Sequence, residues 1–179
     1  EQSASMFKSV PEFNMAIQGT FPPGSVFKII TAAAALETDK VSPQEQFYCP
    51  GYYDAGNRIF KCWEKKGHGR VNLLSGIAQS CDVYFYNVGY RTGGANLEKF
   101  EKAFRLGTPT GISLPGEKRG NIFGPVDRAK KGTYWFTGDT LNLAIGQGEL
   151  LVTPLQIAQV IAAVANGGIF WRPHYVDRI

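Results

Sequence analysis

The apolar positions along the chain fall into a few strongly patterned stretches separated by long polar or glycine-rich ones. Residues 25–37 (SVFKIITAAAALE) are strong helix formers of nearly continuous apolar character, which predicts a buried helix. Residues 71–79 predict a short helix, and residues 82–90 (DVYFYNVGY) an aromatic-rich one. Residues 96–106 (NLEKFEKAFRL) have the alternation of an amphipathic helix, with Asn96 as its cap. Thr153-Pro154-Leu155-Gln156 is a capping box with proline in the first helical position, and the helix it opens runs to about Ala165, before Asn166-Gly167-Gly168.

The intervening segments have no such period. Residues 1–21 read as irregular, and Phe21-Pro22-Pro23-Gly24 as a turn. Residues 38–69, rich in Gly, Pro, Tyr and Cys, read as a long loop with a short hairpin at 51–62, and a loop of that length inside a compact domain needs something to hold it. Residues 107–138 read as mostly loop. The result is a mainly helical domain with few strands and no internal repeat.

A chain of 179 residues is long enough for one domain with its own core. With 44% hydrophobic, 19% charged and 13% aromatic residues the composition is that of a globular protein, which excludes a disordered chain. The net charge of +4 fits weak attraction to an anionic polymer or membrane surface but is shared by many soluble enzymes. No basic run interleaved with aromatics marks a nucleic-acid site. No stretch approaches the roughly 20 apolar residues of a membrane span. The chain opens abruptly at Glu1 and reaches Ile179 on what reads as the approach to a strand, so it reads as a piece of a longer protein.

Ser25-Val26-Phe27-Lys28 places a serine and a lysine three apart at a helix start, on one face. A serine hydroxyl is a weak nucleophile near neutral pH and needs a neighbouring base. A lysine desolvated at such a position can serve, and the N–H groups of the helix start face a developing oxyanion. Ser80-Cys81-Asp82 follows 55 residues later between two helices, with a second hydroxyl and a carboxylate that can relay a proton and hold an amide. Each element alone is weak: Ser-x-x-Lys is common, and Asp82 is also a plain helix cap.

Together they carry a resemblance. Phe21-Pro22-Pro23-Gly24-Ser25-Val26-Phe27-Lys28, Lys66-Gly67-His68-Gly69, Ser80-Cys81-Asp82 with Tyr84-Phe85-Tyr86, Thr110-Gly111-Ile112, Gly138-Asp139-Thr140, Ile145-Gly146-Gln147-Gly148, Thr153-Pro154-Leu155-Gln156 and Asn166-Gly167-Gly168 stand in the order of the class B penicillin-binding proteins. The chain resembles most the penicillin-binding protein 2 group, which often carries Asp where most of the superfamily has the Asn matching Asp82. The resemblance implies an α/β (α+β) fold of the penicillin-binding transpeptidase and serine β-lactamase type, here mainly its helical part with an incomplete antiparallel sheet. Residues 1–179 are then a single truncated transpeptidase domain that lacks the early strands and the Lys-Thr-Gly strand; no Lys-Thr-Gly occurs in the sequence.

By the same resemblance the parent protein is a serine D,D-transpeptidase. Ser25 attacks the carbonyl between the two terminal D-alanines of a peptidoglycan stem peptide, Lys28 takes its proton, Ser80 passes one to the leaving D-alanine, and Asp82 orients substrate and Lys28. β-Lactam antibiotics stall the reaction as acyl-enzymes, and no cofactor is needed. The resemblance also implies an inner-membrane anchor outside this chain, work on the periplasmic or extracytoplasmic face, and partnership with a glycosyltransferase and a scaffold protein of the elongation machinery. Two alternatives stay open: a class D β-lactamase or β-lactam sensor, and, for the 179 residues alone, an inactive scaffold domain.

Cys49, Cys62, His68 and Cys81 form a Cys-x12-Cys-x5-His-x12-Cys pattern. Three cysteines do not make a purely disulfide framework, whereas four N/S donors are the complement of a closed tetrahedral zinc site that would pin the long loop to the Ser80 turn. A Cys49–Cys62 disulfide, or three unrelated buried thiols with His68 a plain loop residue, are the alternatives. Gly146-Gln147-Gly148 lacks the lysine of a phosphate loop and reads as a tight turn near the site. Tyr84-Phe85-Tyr86 reads as core, His174 as structural, and Trp63, Trp135 and Trp171 as packing or groove-lining residues.

Overall fold

A computed structural model of the chain describes residues 13–176; residues 1–12, most of the stretch read as irregular, and the last three residues lie outside it. The architecture is a helical body with two small antiparallel sheets at one side. In chain order it has α1 (Met15–Gln18), a 3₁₀ turn (Gly24–Phe27), α2 (Lys28–Glu37), β1 (Phe47–Cys49), β2 (Tyr52–Asp54), β3 (Ile59–Lys61), β4 (Gly69–Val71), α3 (Leu73–Ala78), α4 (Asp82–Thr92), α5 (Gly94–Ala103), α6 (Pro125–Lys130), α7 (Thr137–Ala144) and α8 (Pro154–Ala165).

Helix α4 is the hub, packed against α2, α5 and α7. Tyr84, Phe85 and Tyr86 are all buried, as the sequence predicts. They join Val41, Phe60, Val71 and the three cysteines in one core cluster. A second cluster gathers Phe27 of the 3₁₀ turn and Ile30 of α2 with Leu97, Phe123, Leu143, Leu150 and Val160. The box predicted for α8 forms in full: Thr153 Oγ1 accepts from Gln156 N at 3.2 Å, and Thr153 N donates to Gln156 Oε1 at 2.8 Å. Gln156 then reaches on to the carbonyls of Thr108 and Arg119, so the cap also fastens two loops.

Several elements depart from the sequence reading. The stretch read as irregular contains α1, a single turn capped by the Asn14 side chain. The hairpin expected at 51–62 forms, and a second two-stranded sheet that the sequence reading does not include lies beside it in the same loop. β2 pairs with β3, Tyr53 opposite Phe60, and β1 pairs with β4, Cys49 opposite Gly69. Helix α5 starts at Gly94, two residues before the expected cap; Asn96 lies inside it and donates to the Thr92 carbonyl. Helix α6 forms within the segment read as loop. Helix α7 was not legible, because its sequence TGDTLNLA has no strong helix period; its place is set by contact with α4, where Gly89 lets Ala144 approach.

Two glutamates of α5, Glu98 and Glu101, are buried. Glu98 accepts from Val126 N and pairs with Lys102, while Glu101 accepts from Phe123 N at 3.1 Å and has its other oxygen buried without a partner. Burial pushes the Glu101 carboxyl from its ordinary 4.5 up to about 8, with nearby Glu98 adding to the shift and the Phe123 N–H opposing it. Folded Glu101 therefore keeps its proton at neutral pH. Its stabilising contribution is complete below about pH 4.5 and is lost as pH rises through about 8. The corresponding slope is at most about 1.4 kcal/mol per pH unit. Glu101→Gln should remove that slope. In urea titrations from pH 5 to 8.5 the variant should gain stability relative to wild type as pH rises; a difference that stays flat with pH would contradict the assignment.

Candidate active site

The site is assembled where the start of α2 meets the turn between α3 and α4. The 3₁₀ turn leaves Ser25 and Val26 exposed and buries Phe27 and Lys28. Its position is fixed from the other side of the molecule. Gly24 N donates to the Gly146 carbonyl at 2.9 Å, and Thr31 Oγ1 donates to the Ala144 carbonyl at 2.8 Å. Gly146 has φ +70°, and a Cβ there would come within 2.2 Å of the Gly24 carbonyl oxygen. The Gly146–Gly148 segment is thus the tight turn the sequence predicts, and it supports the 3₁₀ turn that carries Ser25.

Lys28 is 2% exposed, so its ammonium must find acceptors inside the protein. It donates to the Ser80 carbonyl at 2.8 Å, to Ser80 Oγ at 3.0 Å and to Asp82 Oδ1 at 2.6 Å, which uses all three N–H bonds. The Phe85 ring lies 5.7 Å from Nζ and closes the apolar side. Lys28 therefore touches both Ser80 and Asp82, so the structure brings these three of the four candidate residues together. Ser25 stands exposed one turn before Lys28, and among the described residues it makes no side-chain hydrogen bond to them.

Ser80 has φ +52°, a left-handed conformation rarely adopted by residues other than glycine. The turn holds it there: Ser80 N donates to the Ile77 carbonyl and its own carbonyl receives Lys28. Trp63, which the sequence left between packing and groove-lining, touches the same turn. Its backbone N–H donates to Asp82 Oδ2 at 3.0 Å and its indole N–H reaches the Gln79 and Ser80 carbonyls. The one signal available in sequence was its place next to Cys62. Trp135 is a packing residue, against Phe123, with its N–H on Thr140 Oγ1; Trp171 and His174 are exposed.

Cys49, Cys62, His68 and Cys81 converge beside this turn. Their ligand atoms lie within 4.8 Å of one another, and both Cys49 Sγ and Cys62 Sγ are 3.6 Å from His68 Nδ1. All three cysteines are free thiols, so no Cys49–Cys62 disulfide forms. The β1–β4 register brings Cys49 to His68, the end of β3 brings Cys62, and Cys81 is the N-cap of α4, accepting from Tyr84 N at 3.4 Å. Gly67 makes the approach possible: at φ +80° a Cβ would sit 2.2 Å from the Cys49 carbonyl oxygen. Tetrahedral bonds of about 2.0–2.3 Å put N and S donors roughly 3.5–3.8 Å apart, so the donor set can hold a metal ion. Burial pushes the Cys81 thiol far above its ordinary range, with Cys49 and Cys62 adding to it; a bound cation is what would stabilise thiolates there.

The chain matches the family described as the penicillin binding protein transpeptidase domain over residues 2–179. It is 37% identical over 174 residues to the peptidoglycan D,D-transpeptidase MrdA of Haemophilus influenzae, covering 94% of this chain and 26% of that one. Among solved structures, PBP2 of Helicobacter pylori in its complex with MreC superposes with a TM-score of 0.88 at 34% identity, covering 93% of this chain and 32% of that one. Pseudomonas aeruginosa PBP2 in complex with WCK 5153 gives 0.85 at 36% identity, covering 90% and 38%. The chain thus spans about a quarter of the length of the curated relatives it matches.

Asp82 and Ser25 should respond differently to removal. Asp82→Ala leaves the buried Lys28 ammonium without its counter-charge and should cost roughly 3–5 kcal/mol. Exposed Ser25→Ala should stay within about 0.5 kcal/mol of wild type. Urea denaturation of both variants checks this; equal effects would mean the Lys28–Asp82 contact is not formed.

Proposed function

The chain belongs to the penicillin-binding protein transpeptidase family, and from that premise we propose that its parent protein is a serine D,D-transpeptidase that cross-links peptidoglycan stem peptides. The observation that carries the reading is the buried Lys28 held by Ser80 and Asp82 one turn behind an exposed Ser25.

Ser25 Oγ attacks the carbonyl carbon between the two terminal D-alanines. Lys28 shifts the proton on its contact with Asp82 to that carboxylate and takes the hydroxyl proton as the Oγ–C bond forms. The C–N bond to the last D-alanine then breaks, and Ser80, within hydrogen-bond reach of Lys28, relays the proton to the departing amine. Asp82 keeps Lys28 aimed and offers its carboxylate to the substrate side. The amine of a second stem peptide attacks the ester, forms the cross-link and restores Ser25. None of these steps calls on a cofactor. A β-lactam ring presents the same carbonyl and leaves an ester on Ser25 that is not resolved.

The four-donor cluster is read as a structural zinc site. Cys49, Cys62, His68 and Cys81 would hold the ion, which would supply charge for the thiolates and tie the 38–69 segment to the N-cap of α4. By kinship with the MrdA proteins, the parent protein works on the extracytoplasmic face, anchored in the inner membrane by a segment outside these residues. No helix among the described residues is long and apolar enough to cross a membrane. The complex of the Helicobacter pylori relative with MreC supports a scaffold partner of that kind here, and an elongation glycosyltransferase is proposed beside it. The 179 residues are read as part of one transpeptidase domain. Its remaining strands, including one with Lys-Thr-Gly, would cover apolar residues left exposed on α8 such as Ile161 and Val164.

Two measurements test this. Full-length protein incubated with benzylpenicillin should gain the mass of one antibiotic, and the Ser25→Ala variant should not. Hydrolysis without a lasting adduct would move the protein to the β-lactamases, and no reaction at all would leave a non-catalytic domain. Elemental analysis should find one zinc per chain, and a chelator or Cys81→Ser should lower the melting temperature. A metal-free, folded protein that melts at the same temperature with and without chelator would end the zinc reading.

A further inference from the structure

The proposed acyl transfer needs Ser80 and Asp82 held against Lys28, and a side chain outside the reacting set makes contacts that could hold them. Trp63 Nε1 lies 3.1 Å from the Gln79 carbonyl oxygen and 3.2 Å from that of Ser80, and Trp63 N lies 3.0 Å from Asp82 Oδ2. The Ser80 carbonyl therefore receives Lys28 from the buried side and the Trp63 indole from the exposed side. Asp82 is gripped in the same way, Lys28 on Oδ1 and the Trp63 backbone on Oδ2.

Ser80 is one of the few residues other than glycine with positive φ, so its conformation depends on such outside contacts. The indole ring is 61% exposed, and its edge contact with His68, centroids 5.2 Å apart, leans it on the cysteine–histidine cluster. An aromatic that only filled the core would be buried. One that only formed a wall for substrate would not direct its single N–H donor at two backbone carbonyls of the catalytic turn.

We propose that Trp63 is a positioning residue: its indole N–H fixes the Ser80 peptide so that Ser80 Oγ and Asp82 stay on Lys28 for acylation. This rests on the acyl-transfer reading above. It adds that the chemical step, rather than ligand affinity, depends on one N–H bond from the neighbouring loop.

Full-length wild type, Trp63→Phe, and protein carrying 3-benzothienylalanine at position 63 (the shape of tryptophan with sulfur in place of N–H) are compared by stopped-flow acylation with a chromogenic β-lactam. The first-order acylation constant should fall about tenfold in both variants, the size expected for one hydrogen bond. The dissociation constant of the preceding complex and the melting temperature should hold. If Trp63→Phe misfolds, the isosteric replacement decides. An unchanged acylation constant, or a change confined to affinity, would show that the ring is a substrate wall and overturn the positioning role while leaving the acyl-transfer reading intact. A wild type that is not acylated at all would overturn both.

Discussion

A lysine ammonium with almost no access to water has to be surrounded by acceptors, and the identity of those acceptors organises this molecule. Lys28 begins α2, while the Ser80 carbonyl, the Ser80 hydroxyl and the Asp82 carboxylate belong to the turn into α4. Three hydrogen bonds from the ammonium, one of them to a carboxylate, thus join two helices that are more than 50 residues apart in sequence. Satisfying the ammonium is what brings the start of α2 against the turn into α4. The helices that surround it follow: α2 and α7 pack on α4, and Gly24 meets Gly146 at the far end of the 3₁₀ turn.

The second constraint is the loop between α2 and α3. Its four three-residue strands are too short to be stable alone. They are held by the core residues Phe60 and Val71 and by the convergence of Cys49, Cys62 and His68 on Cys81. Because Cys81 lies between Ser80 and Asp82, and Trp63 directly follows Cys62, the loop reaches the Ser80 turn twice, through the cluster and through the indole. The proposed metal and the proposed positioning role of Trp63 are thus two parts of one connection.

The residues of the proposed site are legible because they stand at local spacings: Ser25 and Lys28 lie one helical turn apart, and Ser80 and Asp82 flank a helix start. The caps at Thr153 and Gln156 were legible for the same reason. What stayed hidden depends on partners distant in sequence. Helix α7 owes its place to Gly89 on α4, and Glu98 and Glu101 are buried because residues 123–127 present backbone N–H groups to them. Charged positions on an amphipathic pattern read as solvent-facing, and no periodicity marks that exception. The β1–β4 pairing was missed because three-residue strands carry no alternation long enough to detect, and Trp63 because its role is set by which carbonyls its N–H meets across the fold.

Their contact makes Lys28 and Asp82 one energetically coupled unit. In a double-mutant cycle with Lys28→Met, Asp82→Asn and the double variant, each unfolded in urea at neutral pH, the coupling energy should be about 1–3 kcal/mol, with the double variant less destabilised than the sum of the single ones. Additivity within about 0.5 kcal/mol would mean that the two side chains do not depend on one another.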